Sequence, residues 1–183
     1  MHRFVWDLRY AFPSSPRRGY SMATVFGRSV PVEPEGPLAL PGKYQIRLTV
    51  DGKSYVQPLT LGMDPRVKAT AQDLEKQFTL EKMLVDGVEQ ANRATREIHE
   101  ARVAGHISEE TERKLAGARR GEEDASAVPP LSPSLSQISG TLSQLVSVVD
   151  SADAAPTSQA SRAAEQALGQ LQTVLAEWKK VSH

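Results

Sequence analysis

The sequence predicts an α+β protein in which a small set of antiparallel strands precedes a group of helices. Three observations carry that prediction. Apolar residues alternate with polar ones in the first third of the chain, as a sheet with one covered face requires. They recur at spacings of three and four in the remainder, as amphipathic helices require. The charge divides at the same place: residues 1–66 carry 9 Lys+Arg against 5 Asp+Glu, and residues 67–183 carry 13 against 17, within a chain of zero net charge. The expected organisation is therefore a β region over 1–66 and a helical region over 67–183, the second interrupted by a linker at 121–133.

The first element is the stretch "FVWDLRY", in which Phe4, Trp6, Leu8 and Tyr10 alternate with Val5, Asp7 and Arg9. That pattern predicts a strand with a strongly apolar face, pairing with the strands that follow. The next thirty-odd residues hold six prolines and four glycines, and only Ala23–Phe26 is strand-like. A long irregular surface loop is the expectation there. Arg17 and Arg18 lie within it, either as a phosphate-binding pair or as a solvated loop tip.

The clearest local signal is "GKYQIRLTVDGKSYVQPLTL". Asp51-Gly52 supplies the two positive-φ positions of a type I′ turn, so the two-residue loop pairs Val50 with Lys53, Leu48 with Tyr55 and Tyr44 with Leu59. Tyr44, Ile46, Leu48, Tyr55, Leu59 and Leu61 then share one face, which needs cover. Pro58 has no N–H and belongs at an outward-pointing position or a bulge. Three strands, or four, make an incomplete sheet whose opposing layer does not precede it.

Asp64-Pro65 ends the β region. Thr70 is the expected N-cap of the first helix, with Asp73 in its first turn. Leu80, Leu84, Val88, Ala91, Thr95 and Ile98 mark its apolar stripe, and Gly105 ends it after about 33 residues, or ~50 Å. "SEET" at Ser108–Thr111 opens a short second helix to about Arg119. After the acidic, Pro-rich linker, Leu135, Ile138, Leu142, Leu145 and Val149 define a third helix. "DSADAAPT" breaks it, and Ala164, Leu168, Leu171, Leu175 and Trp178 define a fourth. The last two read as an antiparallel hairpin packed on the first helix, giving a three-helix bundle. Gly140 and Gly169, costly inside helices, are expected to mark close helix contacts.

Chemistry is sparse. There is no cysteine, hence no disulfide, thiolate metal site or thiol nucleophile. His99 and His106 lie seven apart and do not form a His-Glu-x-x-His pair. Glu109, Glu110 and Glu112, and the run Glu122–Asp124, are read as solvated carboxylates. Asp7, Arg9, Asp64 and Arg66 are read as partners in structural ion pairs. No cofactor is expected, zero net charge gives no case for nucleic acid, and no apolar run is long enough to insert in a membrane. The N-terminus also lacks the basic and apolar regions of a signal peptide.

Taken together, "HRFVWDLRY", "GPLALPGKYQIRLTVDGKSYVQPLTLGMDPRV" and "ADAAPT" resemble the C-terminal region of large bacterial proteins with a sortilin-like, BNR-repeat β-propeller, often described as glycosyl hydrolases or sialidase-like. The resemblance implies an Ig-like or fibronectin-like β domain followed by a helical segment, here lacking the preceding strands and the propeller. A fragment, a truncated gene model or a separately encoded remnant, and a periplasmic or extracellular site, are what it implies. Activity would reside in the propeller, so no catalytic residue carries over to this chain. The expected function is a non-catalytic accessory or interaction module. Its face comprises Phe4, Trp6, Leu8, Tyr44, Ile46, Leu48 and Tyr55, docking on the parent's propeller or on a second copy. The alternatives are a carbohydrate-active hydrolase using Asp7, Asp51 or Asp64 near Trp6, Tyr10 and Tyr44, and a carbohydrate-binding module using exposed aromatics.

Overall fold

The structure, a computed structural model, describes residues 3–13, 35–117 and 133–182, and the backbone of 19–20 and 32–33. It is a mixed α+β fold. Two residue pairs form the short strands β1 (Gly19–Tyr20) and β2 (Val32–Glu33), which join antiparallel inside the segment expected to be an irregular loop. Arg17, Arg18 and Ala23–Phe26 lie outside the described residues, as does the 121–133 linker except for Pro133.

Strands β3 (Gly42–Val50) and β4 (Lys53–Leu61) form a two-stranded antiparallel ribbon in the predicted register, with Tyr44 opposite Leu59, Leu48 opposite Tyr55 and Val50 opposite Lys53. Asp51 and Gly52 have φ of 48° and 76°, the left-handed values a type I′ turn needs. Counting outward from the hydrogen-bonded Val50–Lys53 pair, Gln45–Pro58 falls on a non-hydrogen-bonded pair. The Pro58 nitrogen thus points away from β3, and its missing N–H costs the ladder nothing.

The expected strand over Phe4–Tyr10 does not form. Residues 3–13 contain only an isolated bridge between Arg9 and Leu38, and no strand joins the ribbon among the described residues. Local bonds displace the ladder. Asp7 accepts the Arg9 backbone N–H at 3.0 Å, the Trp6 indole N–H donates to the Arg9 carbonyl at 2.9 Å, and Leu8 sits at φ 67°, which breaks the alternation of faces.

The helices α1 (Ala71–Val103), α2 (Glu109–Ala116), α3 (Leu135–Val149) and α4 (Ser158–Val181) follow. Thr70 and Asp73 form a reciprocal capping box, as do Ser134 and Gln137, while Ser108 and Thr157 cap α2 and α4. One apolar core runs between the helices, with Leu84, Val88 and Ile98 of α1, Leu115 of α2, Leu135, Ile138 and Leu142 of α3, and Ala164, Leu171 and Trp178 of α4. Gly140 and Gly169 are exposed, and a Cβ at either would meet nothing within 4 Å, so the expectation of close contacts there is overturned. The close approach is instead at Gly87, where a Cβ would lie 2.9 Å from a Leu168 methyl and 3.1 Å from a Leu142 methyl.

Candidate functional site

Two features stand apart from the sealed core: the apolar face of the ribbon, and a polar cluster where the ribbon meets the helices. The ribbon's pleat puts Tyr44, Ile46, Leu48 and Val50 on one face with Tyr55, Leu59 and Leu61. Only the base of that face is covered. Tyr44, Leu59 and Leu61 are half-buried, whereas Ile46 is 53 %, Leu48 59 % and Tyr55 58 % exposed. The expectation that the whole face is buried fails for a geometric reason. Nine-residue strands reach about 30 Å, and only their base lies against the rest of the molecule.

The N-terminal aromatics do not extend this face as a strand. Trp6 packs edge-on against Tyr44, centroids 6.0 Å apart, and the Tyr44 hydroxyl donates to the Leu40 carbonyl at 2.6 Å. Tyr10 turns to Phe78 of α1, 5.3 Å away. Leu8 lines the edge of a pocket described below, and Phe4 is 89 % exposed. Trp6 and Tyr44 are thus brought together, and Ile46, Leu48 and Tyr55 share a surface. Phe4 and Leu8 belong to neither pairing.

Arg9 holds the N-terminal segment to the helices. Its guanidinium makes a two-pronged contact with Asp150, the residue capping α3, at 2.7 and 3.3 Å, and donates to the Gly36 carbonyl at 2.9 Å. Glu35 approaches to 3.4 Å. Burial alone would disfavour the Arg9 charge, but the bond and attraction to Asp150 raise its pKa above the ordinary value. Residues 8–10 also exchange backbone bonds with 37–39, Tyr10 N to Pro37 O at 2.9 Å and Ala39 N to Leu8 O at 2.7 Å. Gly36 permits this approach, because a Cβ there would sit 2.1 Å from the Tyr10 carbonyl oxygen.

Beside this cluster Glu81 of α1 is only 2 % exposed. One carboxyl oxygen accepts a bond from Gln77 Nε2 at 3.1 Å, and Gln77 also donates to the Val149 carbonyl at 2.9 Å. Burial drives the Glu81 pKa up to about 7. The Gln77 bond and Arg9 oppose the rise, and Asp150 and Asp153 add to it. Glu81 escaped the sequence reading because the α1 stripe was begun at Leu80. Extended backward from Leu84 at spacings of three, four and three, the seam passes through Glu81, Gln77 and Leu74. Two polar residues at core positions are the signal that would have found the cluster.

The remaining candidates for chemistry are dispersed. Asp51 is at the ribbon tip and Asp64 beyond its far end, so these two carboxylates are about 30 Å apart rather than the 5–10 Å a glycosidase pair needs. Asp64 pairs with Arg66 at 2.6 Å, which lowers its pKa, and Arg9 takes Asp150, as expected of structural ion pairs, whereas Asp7 accepts the Arg9 backbone N–H and forms no ion pair among the described residues. Glu109 and Glu110 are exposed, but Glu112 is not solvated. It is buried between His99 Nδ1 at 3.0 Å and Arg102 Nε at 2.8 Å, tying α2 to α1. Glu122–Asp124 lie outside the described residues. Among the described residues no group of three or more His, Asp or Glu is placed to hold a metal ion, and no helix is long and apolar enough to cross a membrane. In comparisons with known proteins, no family model, no curated protein and no solved structure matches this chain.

Proposed function

We propose that this chain is a non-catalytic interaction module, akin to the C-terminal region of sortilin-like, BNR-repeat propeller proteins, whose ribbon docks on a propeller domain. In this reading the ribbon stands for part of an Ig-like sheet, and α1, α3 and α4 form the helical bundle that presents it. The observation that supports it is the run of large apolar side chains at Ile46, Leu48, Val50 and Tyr55, left in solvent by a chain that seals its helical core. Contiguous apolar patches of this kind are the usual mark of an interaction surface. Lys53, opposite Val50, places one positive charge at the edge of this face, whereas Lys43 and Arg47 point to the other face of the ribbon.

The test is calorimetric titration of the purified chain with a sortilin-like propeller domain from the same genome, with light scattering of the chain alone. Saturable binding, abolished by the combined Ile46→Ser, Leu48→Ser and Tyr55→Ser replacement, is the expected result. A dimer dissolved by the same replacement would assign the face to a second copy and overturn the propeller as partner. A monomer that binds nothing would sink the interaction reading altogether.

A further inference from the structure

We propose that the pocket between the N-terminal segment, the base of the ribbon and the start of α1 binds a primary ammonium group carried on a short apolar body. The inference concerns a different surface from the ribbon's docking face and does not depend on the function proposed above.

The pocket has a volume of about 170 Å³, lined on its apolar side by Leu38, Leu40, Leu61, Met63, Leu74 and Phe78. It is open to solvent on one side, and it admits a small organic body. Its polar side is Gln77, Glu81 and Asp153. Glu81 is the telling group. Its side chain is almost wholly removed from water, yet among the described residues no cation comes within ion-pair distance, Arg9 acting on it only from further off, and its second carboxyl oxygen accepts no hydrogen bond. The oxygen left without a bond is not sealed in protein, since among the described residues Arg102 Nε is the one buried side-chain polar atom lacking a hydrogen-bond partner. The Glu81 carboxyl thus presents an accessible acceptor at the wall of an apolar pocket.

The charges facing Glu81 from each packed element select the donor's sign. The N-terminal segment offers Arg9, already committed to Asp150, Glu35 and the Gly36 carbonyl. The α3–α4 connection offers Asp150 and Asp153, and α1 itself offers the neutral Gln77. Asp150 and Asp153 act on Glu81, and Glu35 on Arg9, so three carboxylates face the single Arg9 charge and the local field favours a cation. An ammonium with three N–H donors fits an acceptor-rich wall, and a short alkyl or aryl body fits the leucines and Phe78. Proton linkage follows from the site. Glu81 titrates near pH 7, and the ammonium is bound by its ionised form, so binding below that pH expels a proton to solvent. From pH 6 to pH 8 the ionised fraction rises about tenfold, and affinity should rise with it.

The experiment is calorimetric titration of the full chain with n-pentylammonium, n-pentanol and pentanoate at pH 6 and pH 8, with methyl NMR of Leu61, Met63 and Leu74 as a second readout. Saturable binding of the ammonium alone, roughly tenfold tighter at pH 8, is expected. Glu81→Gln, checked for native circular dichroism, should remove the pH dependence and most of the binding. Leu61→Trp, which fills the pocket from the ribbon side and leaves Glu81 intact, should also abolish binding. Equal affinity for pentanol, binding retained by Glu81→Gln, or no methyl shifts with the ammonium would each overturn the proposal.

Discussion

The helical core and the β-ribbon are built from apolar residues of equal quality and equally regular spacing, yet they end in opposite environments. Leu84, Ile98, Leu135, Leu142 and Leu171 are sealed between helices, while Ile46, Leu48 and Tyr55 stand in water on a ribbon with the predicted register. Periodicity identifies an element and the face it offers; it does not say whether the chain supplies a second layer. For the helices the second layer is encoded nearby, because the apolar stripes of the helices close on one another. For the ribbon none is found among the described residues, where the Phe4–Tyr10 segment that should have extended the sheet is drawn to Asp150, Gly36 and Phe78 instead.

The largest effect that probes this contrast lies in the core. Leu142→Ala removes a side chain with no exposure, lying over Gly87, and should cost about 2–5 kcal/mol, read as a lowered urea midpoint at unchanged slope. A loss below ~1 kcal/mol would mean that the helices are loosely packed and that the contrast with the ribbon is false.

Glu81 comes next, at the seam between the two regions. Its folded pKa of about 7 lies above its ordinary value of 4.5, so the folded state holds the proton more tightly. The stability tied to that proton is present in full below about pH 4.5 and is lost as pH rises through about 7, a swing of up to ~3 kcal/mol. Urea unfolding at pH 5 and pH 8 should show this fall in the wild-type chain and not in Glu81→Gln, which should be the more stable of the two at pH 8. A wild-type stability that rises over the interval would show that Glu81 is ionised and satisfied, removing the premise of the ammonium pocket as well.

The glycines show what was legible in the sequence and what was not. The hairpin register, the Thr70 and Ser108 caps and the starts of α1 and α3 are local features, written in residues a few positions apart, and all can be read directly. Gly87, Gly140 and Gly169 look alike in sequence, and only tertiary packing separates them. The Arg9–Asp150 contact joins residues 141 positions apart and leaves no local trace. Glu81 and Gln77 were legible in principle, as polar intrusions on an apolar seam, and were missed by starting the seam too late. Accordingly Gly140→Ala and Gly169→Ala should each stabilise the fold by about 1 kcal/mol through helix propensity alone. Gly87→Ala should lose that gain to the Leu168 and Leu142 methyls. Thermal unfolding of the three variants checks the order, and a stabilising Gly87→Ala would show that those methyls move freely aside.

The smallest expected effect is the sharpest for function. Ile46→Ser and Leu48→Ser each replace a side chain already more than half in water, so folding removes little of its apolar area and stability should change by no more than ~0.5 kcal/mol. Serine has the lower strand preference, which sets the sign as slightly destabilising. A chain that keeps its melting point but loses association with its partner would separate what the ribbon contributes to folding from what it contributes to recognition. A loss above ~2 kcal/mol in the isolated chain would instead place the face against a layer of the same molecule. The ribbon and the helical core would then obey one rule, and no surface would be left over for a partner.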